Sequence, residues 1–162
     1  MTGRLVDVRA PRFDAAWVPK ASPVVAMGTP RSRAAGLVAF APRIDPGSVT
    51  TLVGLGAGLT PLGDDVICGW LAAHRAAGVP TPAVDEAVRR LLPRTTTFSA
   101  SLLACALAGE VADPVATYLR CLGTPRADAA RGQLEAFGRS SGLGLAHGID
   151  LALAGLATDR AA

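Results

Sequence analysis

A chain of 162 residues that is 50% hydrophobic, 18% charged and 4% aromatic has enough apolar material for one buried core, which excludes a disordered chain. Its net charge of +3 comes almost wholly from scattered arginines, never more than two adjacent, and the few aromatics do not interleave with them, so a nucleic-acid-binding surface is not expected. No apolar run approaches the ~18 residues of a membrane span, and three widely spaced cysteines, Cys68, Cys105 and Cys121, support neither a disulfide framework nor a zinc knuckle.

Taken in order, residues 1–53 read as a small β-rich portion. Short apolar runs at 5–8, 15–18, 24–27 and 37–40 are separated by Pro11, Pro19, Pro23, Pro30 and Pro42, which predicts a small antiparallel sheet with irregular loops. Arg31 and Arg33 fall in one such loop. Arg4, Asp7, Arg9 and Arg12 interrupt any signal-peptide core, so a cytoplasmic, soluble protein is expected. The run 48–53, Ser-Val-Thr-Thr-Leu-Val, reads as strand-like and leads into the most unusual stretch of the chain.

Residues 54–65 read Gly-Leu-Gly-Ala-Gly-Leu-Thr-Pro-Leu-Gly-Asp-Asp. Gly54, Gly56, Gly58 and Gly63 permit positive φ and a close approach of a ligand to the backbone. Thr60 is a good N-cap and Pro61 suits the first helical position, where its missing N–H costs nothing. A helix beginning there directs free amides and its positive dipole end at the loop, an arrangement suited to an anion. Asp64 and Asp65 follow in the first turn, as candidate catalytic groups or ligands for a magnesium ion, or simply as partners of the helix dipole. The stretch fits neither the dinucleotide fingerprint, since Leu59 stands at the sixth position, nor a P-loop, since no Gly-Lys-Ser/Thr follows.

From Thr60 onward the pattern is helical. Ile67, Trp70, Leu71 and His74 recur on one face, with His74 read as a packing residue, and Gly78 and Pro80 end the helix. A second helix is expected over 83–92, stopped by Pro93, and a third from 98 or 99 to 108 after the polar loop Arg94-Thr95-Thr96-Thr97. Thr96, Thr97 or Ser99 caps that helix, or else the loop presents Arg94 as a forked donor for a carboxylate or phosphate. Further helices are expected over 114–122 and 127–137. The loop Gly138-Arg139-Ser140-Ser141-Gly142 then leads into a last small-residue helix, in which His147 lies.

These three loops carry a family resemblance. Residues 54–65, with Arg94-Thr95-Thr96-Thr97-Phe98-Ser99 and Gly138-Arg139-Ser140-Ser141-Gly142, resemble a bacterial family long known as a domain of unknown function, whose best-understood relatives are a subunit of the oxamate carbamoyltransferase of allantoin breakdown. The likeness spans roughly residues 50 to 157. The family signature usually has Pro where Ala57 stands and Ser where Leu62 stands, and His is common where Arg139 stands.

The fold expected is α+β, a small N-terminal antiparallel β portion (1–53) followed by a bundle of five to six helices (54–162). The resemblance implies a carbamoyltransferase-type subunit that binds a small anion such as phosphate, carbamoyl phosphate or a carboxylate. In that picture Gly54, Gly56, Gly58, Thr60, Gly63, Arg94, Thr95, Thr96, Ser99, Arg139, Ser140 and Ser141 form the ligand site and Asp64 and Asp65 are the catalytic or magnesium-binding pair. Partner subunits or a homo-oligomer are expected, and neither nucleic acid nor a membrane. Two alternatives stand beside this: a non-catalytic assembly subunit, and a magnesium-dependent hydrolase or phosphotransferase using Asp64 and Asp65.

Overall fold

The computed structural model describes residues 5–7 and 43–159. Strand β1 (Leu5–Asp7) is followed by helices α1 (Pro46–Leu52), α2 (Leu62–Ala76) and α3 (Pro82–Leu91) and a 3₁₀ turn (Leu92–Arg94). Then come α4 (Thr97–Ala108), strand β2 (Glu110–Ala112), α5 (Asp113–Cys121), α6 (Ala127–Glu135) and α7 (Ser141–Asp159). The α+β expectation is overturned: the described chain is mainly helical. The β structure among the described residues is one antiparallel ribbon, in which Leu5, Val6 and Asp7 lie opposite Ala112, Val111 and Glu110. The N-terminal strand therefore pairs with the far half of the chain and not within a sheet of its own. The runs at 15–18, 24–27 and 37–40, with Arg31 and Arg33, lie outside the described residues.

Helix α1 occupies the stretch read from sequence as strand-like. β-branched residues favour a strand, but Asp45 and Ser48 form a reciprocal capping box ahead of them and Pro46 pre-sets the first helical turn. Val49, Leu52 and Val53 then fall at helical spacing and are all buried, joining the core of the helices beyond the glycine loop. Tertiary burial of that face outweighs strand propensity.

Helix α2 is the central element, buried along almost its whole length, and its most extensive packing is against α7. The two backbones touch. A Cβ built on Gly69 would lie 2.1 Å from the Leu145 carbonyl oxygen, and one on Gly148 would lie 2.0 Å from that of Val66. Only glycine fits at either point. His74 is buried on α2, its Nδ1 3.0 Å from the Trp70 carbonyl oxygen and its ring against the indole, as expected of a packing histidine.

Polar links brace the periphery. Arg75 holds both oxygens of Asp85 at 2.7 Å, fastening the end of α2 to α3. Arg131 holds both oxygens of Asp150 at 2.8 Å and also meets Glu135 and the Tyr118 hydroxyl, joining α5, α6 and α7. Among the described residues no helix is long and apolar enough to cross a membrane.

Candidate functional site

The start of α2 lies one residue later than the sequence suggests. Pro61 is the N-cap, and no side chain caps the helix. The Thr60 hydroxyl instead meets the Ser141 hydroxyl at 2.8 Å, tying the glycine loop to the start of α7. The loop between 94 and 99 joins in: Thr96 caps α4 by accepting from the Ser99 amide at 3.0 Å, while its own hydroxyl donates to the Leu59 carbonyl at 2.5 Å. All three polar loops therefore meet at the N-terminus of α2.

What they surround is Asp64. Its side chain, in a residue 1% exposed, accepts from the Gly54 amide at 2.8 Å on one oxygen. The other oxygen accepts from the Thr95 hydroxyl and, at 2.6 Å, from the Ser99 hydroxyl. Gly54 has φ +76°, and a Cβ there would lie 2.7 Å from the Arg94 carbonyl oxygen, so glycine is needed to aim that amide inward. The first anion held by the glycine loop is the protein's own carboxylate.

Asp65 turns the other way. Successive helical residues point about 100° apart, and this one faces a cleft of about 340 Å³ enclosed by α2, α4, β2, α5 and the start of α7. Thr60, Glu110, Gly138, Ser141, Cys68 and Cys105 line it among apolar walls. Asp65 is 4% exposed, and its Oδ2 has no hydrogen-bond partner among the described residues. Burial pushes its carboxyl up to about 7, helped by the neighbouring Asp64; Ser141 and Thr60 hold it down in part. Those hydroxyls bond each other and neither satisfies Oδ2. The Cys68 thiol, buried on the same wall, is pushed well above its ordinary range by burial and then by Asp65, Asp64 and Cys105, so it is no thiolate nucleophile.

The remaining sequence-predicted residues divide by position. Gly63 is buried, its would-be Cβ 2.1 Å from the Leu52 carbonyl oxygen, and serves packing of α1 on α2. Gly56 (φ +118°) makes the corner against Leu62, and Gly58 is exposed with open space around it. Among the described residues the amides of 56–59 have no intramolecular acceptor. Arg94 is exposed and its guanidinium reaches the Thr50 carbonyl oxygen at 3.3 Å, outside the cleft lining. Arg139 and Ser140 lie in the loop before α7; neither lines the cleft, and Arg139 is exposed. Sequence reasoning missed Glu110, Phe98, Phe137 and the two thiols as cleft residues. Glu110, a lone carboxylate inside the apolar run 102–112, carried a legible signal; the others did not.

Magnesium binds through one or two carboxylates in near-octahedral geometry. Both oxygens of Asp64 already accept hydrogen bonds, and no group of three or more His, Cys, Asp or Glu among the described residues could hold a metal. With both oxygens bonded, Asp64 has no oxygen free of hydrogen bonds to offer a metal.

Residues 52–153 match the family model described as oxamate carbamoyltransferase subunit AllH. No curated protein and no solved structure matches the chain.

Proposed function

Because the chain belongs to the oxamate carbamoyltransferase subunit AllH family, we propose that it supplies the proton-accepting carboxyl of a carbamoyl-transfer site, with Asp65 as that group. One observation carries this reading: a carboxyl 4% exposed that lines a cleft, with a buried oxygen left unpartnered among the described residues and a proton affinity raised to about 7. Enzymes tune acid–base groups toward the working pH in this way. In the step proposed, an acceptor nitrogen attacks the carbonyl carbon of a carbamoyl donor such as carbamoyl phosphate. The N–H proton passes to the Asp65 carboxylate, the C–O bond to phosphate breaks, and phosphate leaves with the electron pair. The unengaged amides at 56–59, beside the positive end of α2, support the loop tip as the resting place of the donor's phosphate. Asp64 is a positioning residue, locking the loop to α4.

The family is that of a subunit, so the assay belongs to the chain assembled with its partner subunits. The rate of carbamoyl transfer against pH is expected to rise through a single group near 7, and the Asp65→Asn enzyme is expected to lose that group. A profile unchanged by Asp65→Asn ends the proposal.

A second reading, a non-catalytic assembly subunit, draws on Leu59 and Phe98, which line the mouth of the cleft and are 72% and 54% exposed. On that reading Leu59→Asp blocks assembly with the partner subunits, and Asp65→Asn leaves transfer intact.

A further inference from the structure

Helix α7 packs on Asp65 at Gly144. A Cβ built there would lie 2.8 Å from the Cβ of Asp65 and 2.7 Å from Leu62 Cδ1, so the α7 backbone lies against that side chain. Ser141 stands three residues earlier, in the first turn of α7, and residues three apart share a helix face. Its hydroxyl is thereby brought to the Asp65 carboxyl, and both residues line the same cleft. The hydroxyl is not free to turn away, because Thr60, also on the lining, bonds it at 2.8 Å.

Two hydroxyls carry two protons, and the bond between them uses one. With Thr60 donating to Ser141, the Ser141 proton is left to donate to Asp65, and a hydroxyl that already accepts a bond donates more strongly. Such a bond favours the ionised carboxylate over the neutral acid. Burial pushes the Asp65 carboxyl up, and Ser141 is the largest influence opposing it, ahead of Thr60. Among the described residues the neighbouring titratable groups give no such help. Asp64 raises the carboxyl further, and Cys68 on α2, Cys105 on α4 and Glu110 on β2 carry no positive charge. On α7 itself, Asp150 is bonded to Arg131 of α6, with His147 in the field of both. We propose that Ser141 is a positioning residue of the transfer site: held by Thr60, its hydroxyl fixes the Asp65 side chain and donates to that carboxyl in its ionised form. The inference rests on the reading of Asp65 as the proton acceptor, and it adds that a hydroxyl from the last helix keeps that acceptor usable near neutral pH.

The test is titration of the Asp65 carboxyl carbon by NMR in the full chain, its signal assigned by its loss in Asp65→Asn. The wild-type titration is expected at about 7. Ser141→Ala should raise it by about one pH unit, the equivalent of losing one hydrogen bond to a charged group. Thr60→Val should raise it less, and Ser141→Thr, which keeps the hydroxyl, should titrate as the wild type does. In the assembled enzyme the rate–pH profile of Ser141→Ala should move upward in step, so that transfer falls about tenfold at about pH 6 and far less at about pH 9. A role in packing alone lowers the rate at every pH and leaves the titration where it was. Should Ser141→Ala fail to fold, Thr60→Val carries the test and must show the rise. A titration unmoved in the variant that carries the test overturns the inference, as does Ser141→Thr titrating like Ser141→Ala. A titration that moves while the rate profile stays would sink the proton-acceptor reading alone. A titration that stays while Asp65→Asn abolishes the rise of rate with pH would sink this one alone.

Discussion

The two flanks of the α2 N-terminus hold neighbouring carboxylates in opposite states. On the flank facing α1 and α4, Asp64 is enclosed by the Gly54 amide, the Thr95 hydroxyl and the hydroxyl of Ser99 in the first turn of α4. On the flank facing the cleft, Asp65 is almost as deeply buried but keeps an orphan oxygen and holds its proton up to about 7. Burial alone does not distinguish them; the supply of donors does. A buried carboxylate with its hydrogen bonds made is part of the scaffold, and one left short of donors is available to a ligand or a proton.

The largest effect should come from breaking the cleft side. Asp65→Asn in the assembled enzyme should lower the rate of carbamoyl transfer about 10²–10⁴-fold, the range for loss of a general base. Steady-state rates at a fixed pH above 7, with the fold checked by circular dichroism, provide the measurement. Asp64→Asn measured alongside should act mainly through stability; a larger rate loss there than at 65 would reverse the assignment.

Next is the pH dependence of stability. The Asp65 proton is bound more tightly in the folded chain, about 7, than in the unfolded chain, where the ordinary value is 3.8. The folded state therefore binds more protons across that window, and its stability must fall as pH rises from about 4 to 7 and level off above. The gap corresponds to at most about 4 kcal/mol. Urea denaturation at several pH values, in wild type and in Asp65→Asn, separates this contribution: the variant should show a flatter profile over the same window.

On the donor-rich side, Asp64→Ala leaves one amide and two hydroxyls facing a void. It should cost about 3 kcal/mol, since each buried donor without a partner costs about 1–3 and the hydroxyls can partly reorient. Urea midpoints check it, and a loss under about 1 kcal/mol would mean that the glycine loop holds its position without this carboxylate. The smallest effect is expected at Arg94→Ala. An exposed guanidinium with one 3.3 Å contact to the Thr50 carbonyl should contribute within about 0.5 kcal/mol of stability. A large change in anion affinity in this variant would return Arg94 to the site.

Several features were legible in the chain because they are local. The glycine loop, the helix after Pro61, the Thr96 cap and the stop at Pro93 each depend on a few adjacent residues with restricted backbone options. That Asp64 and Asp65 must face different ways follows from helical geometry alone. The α1 segment departs from its β-branched propensity for a related reason: the two-residue exchange between Asp45 and Ser48 caps a helix, and that helix holds because Val49 and Leu52 have a core to enter.

The sequence by itself therefore determined the helices from α2 onward, the Thr96 cap and the presence of three polar loops ahead of helix starts, because these are set by short-range sterics and hydrogen bonding. Only the tertiary structure decided what the loops do. It spent the Gly54 amide and the Thr95 and Ser99 hydroxyls on Asp64, and it turned Arg94 outward to Thr50. It also brought Phe98, Glu110, Phe137 and Leu145 around Asp65. A proton affinity depends on which donors and which apolar walls arrive from distant parts of the chain, and that arrival depends on the close glycine contacts of Gly69 and Gly148 that bring α2 against α7.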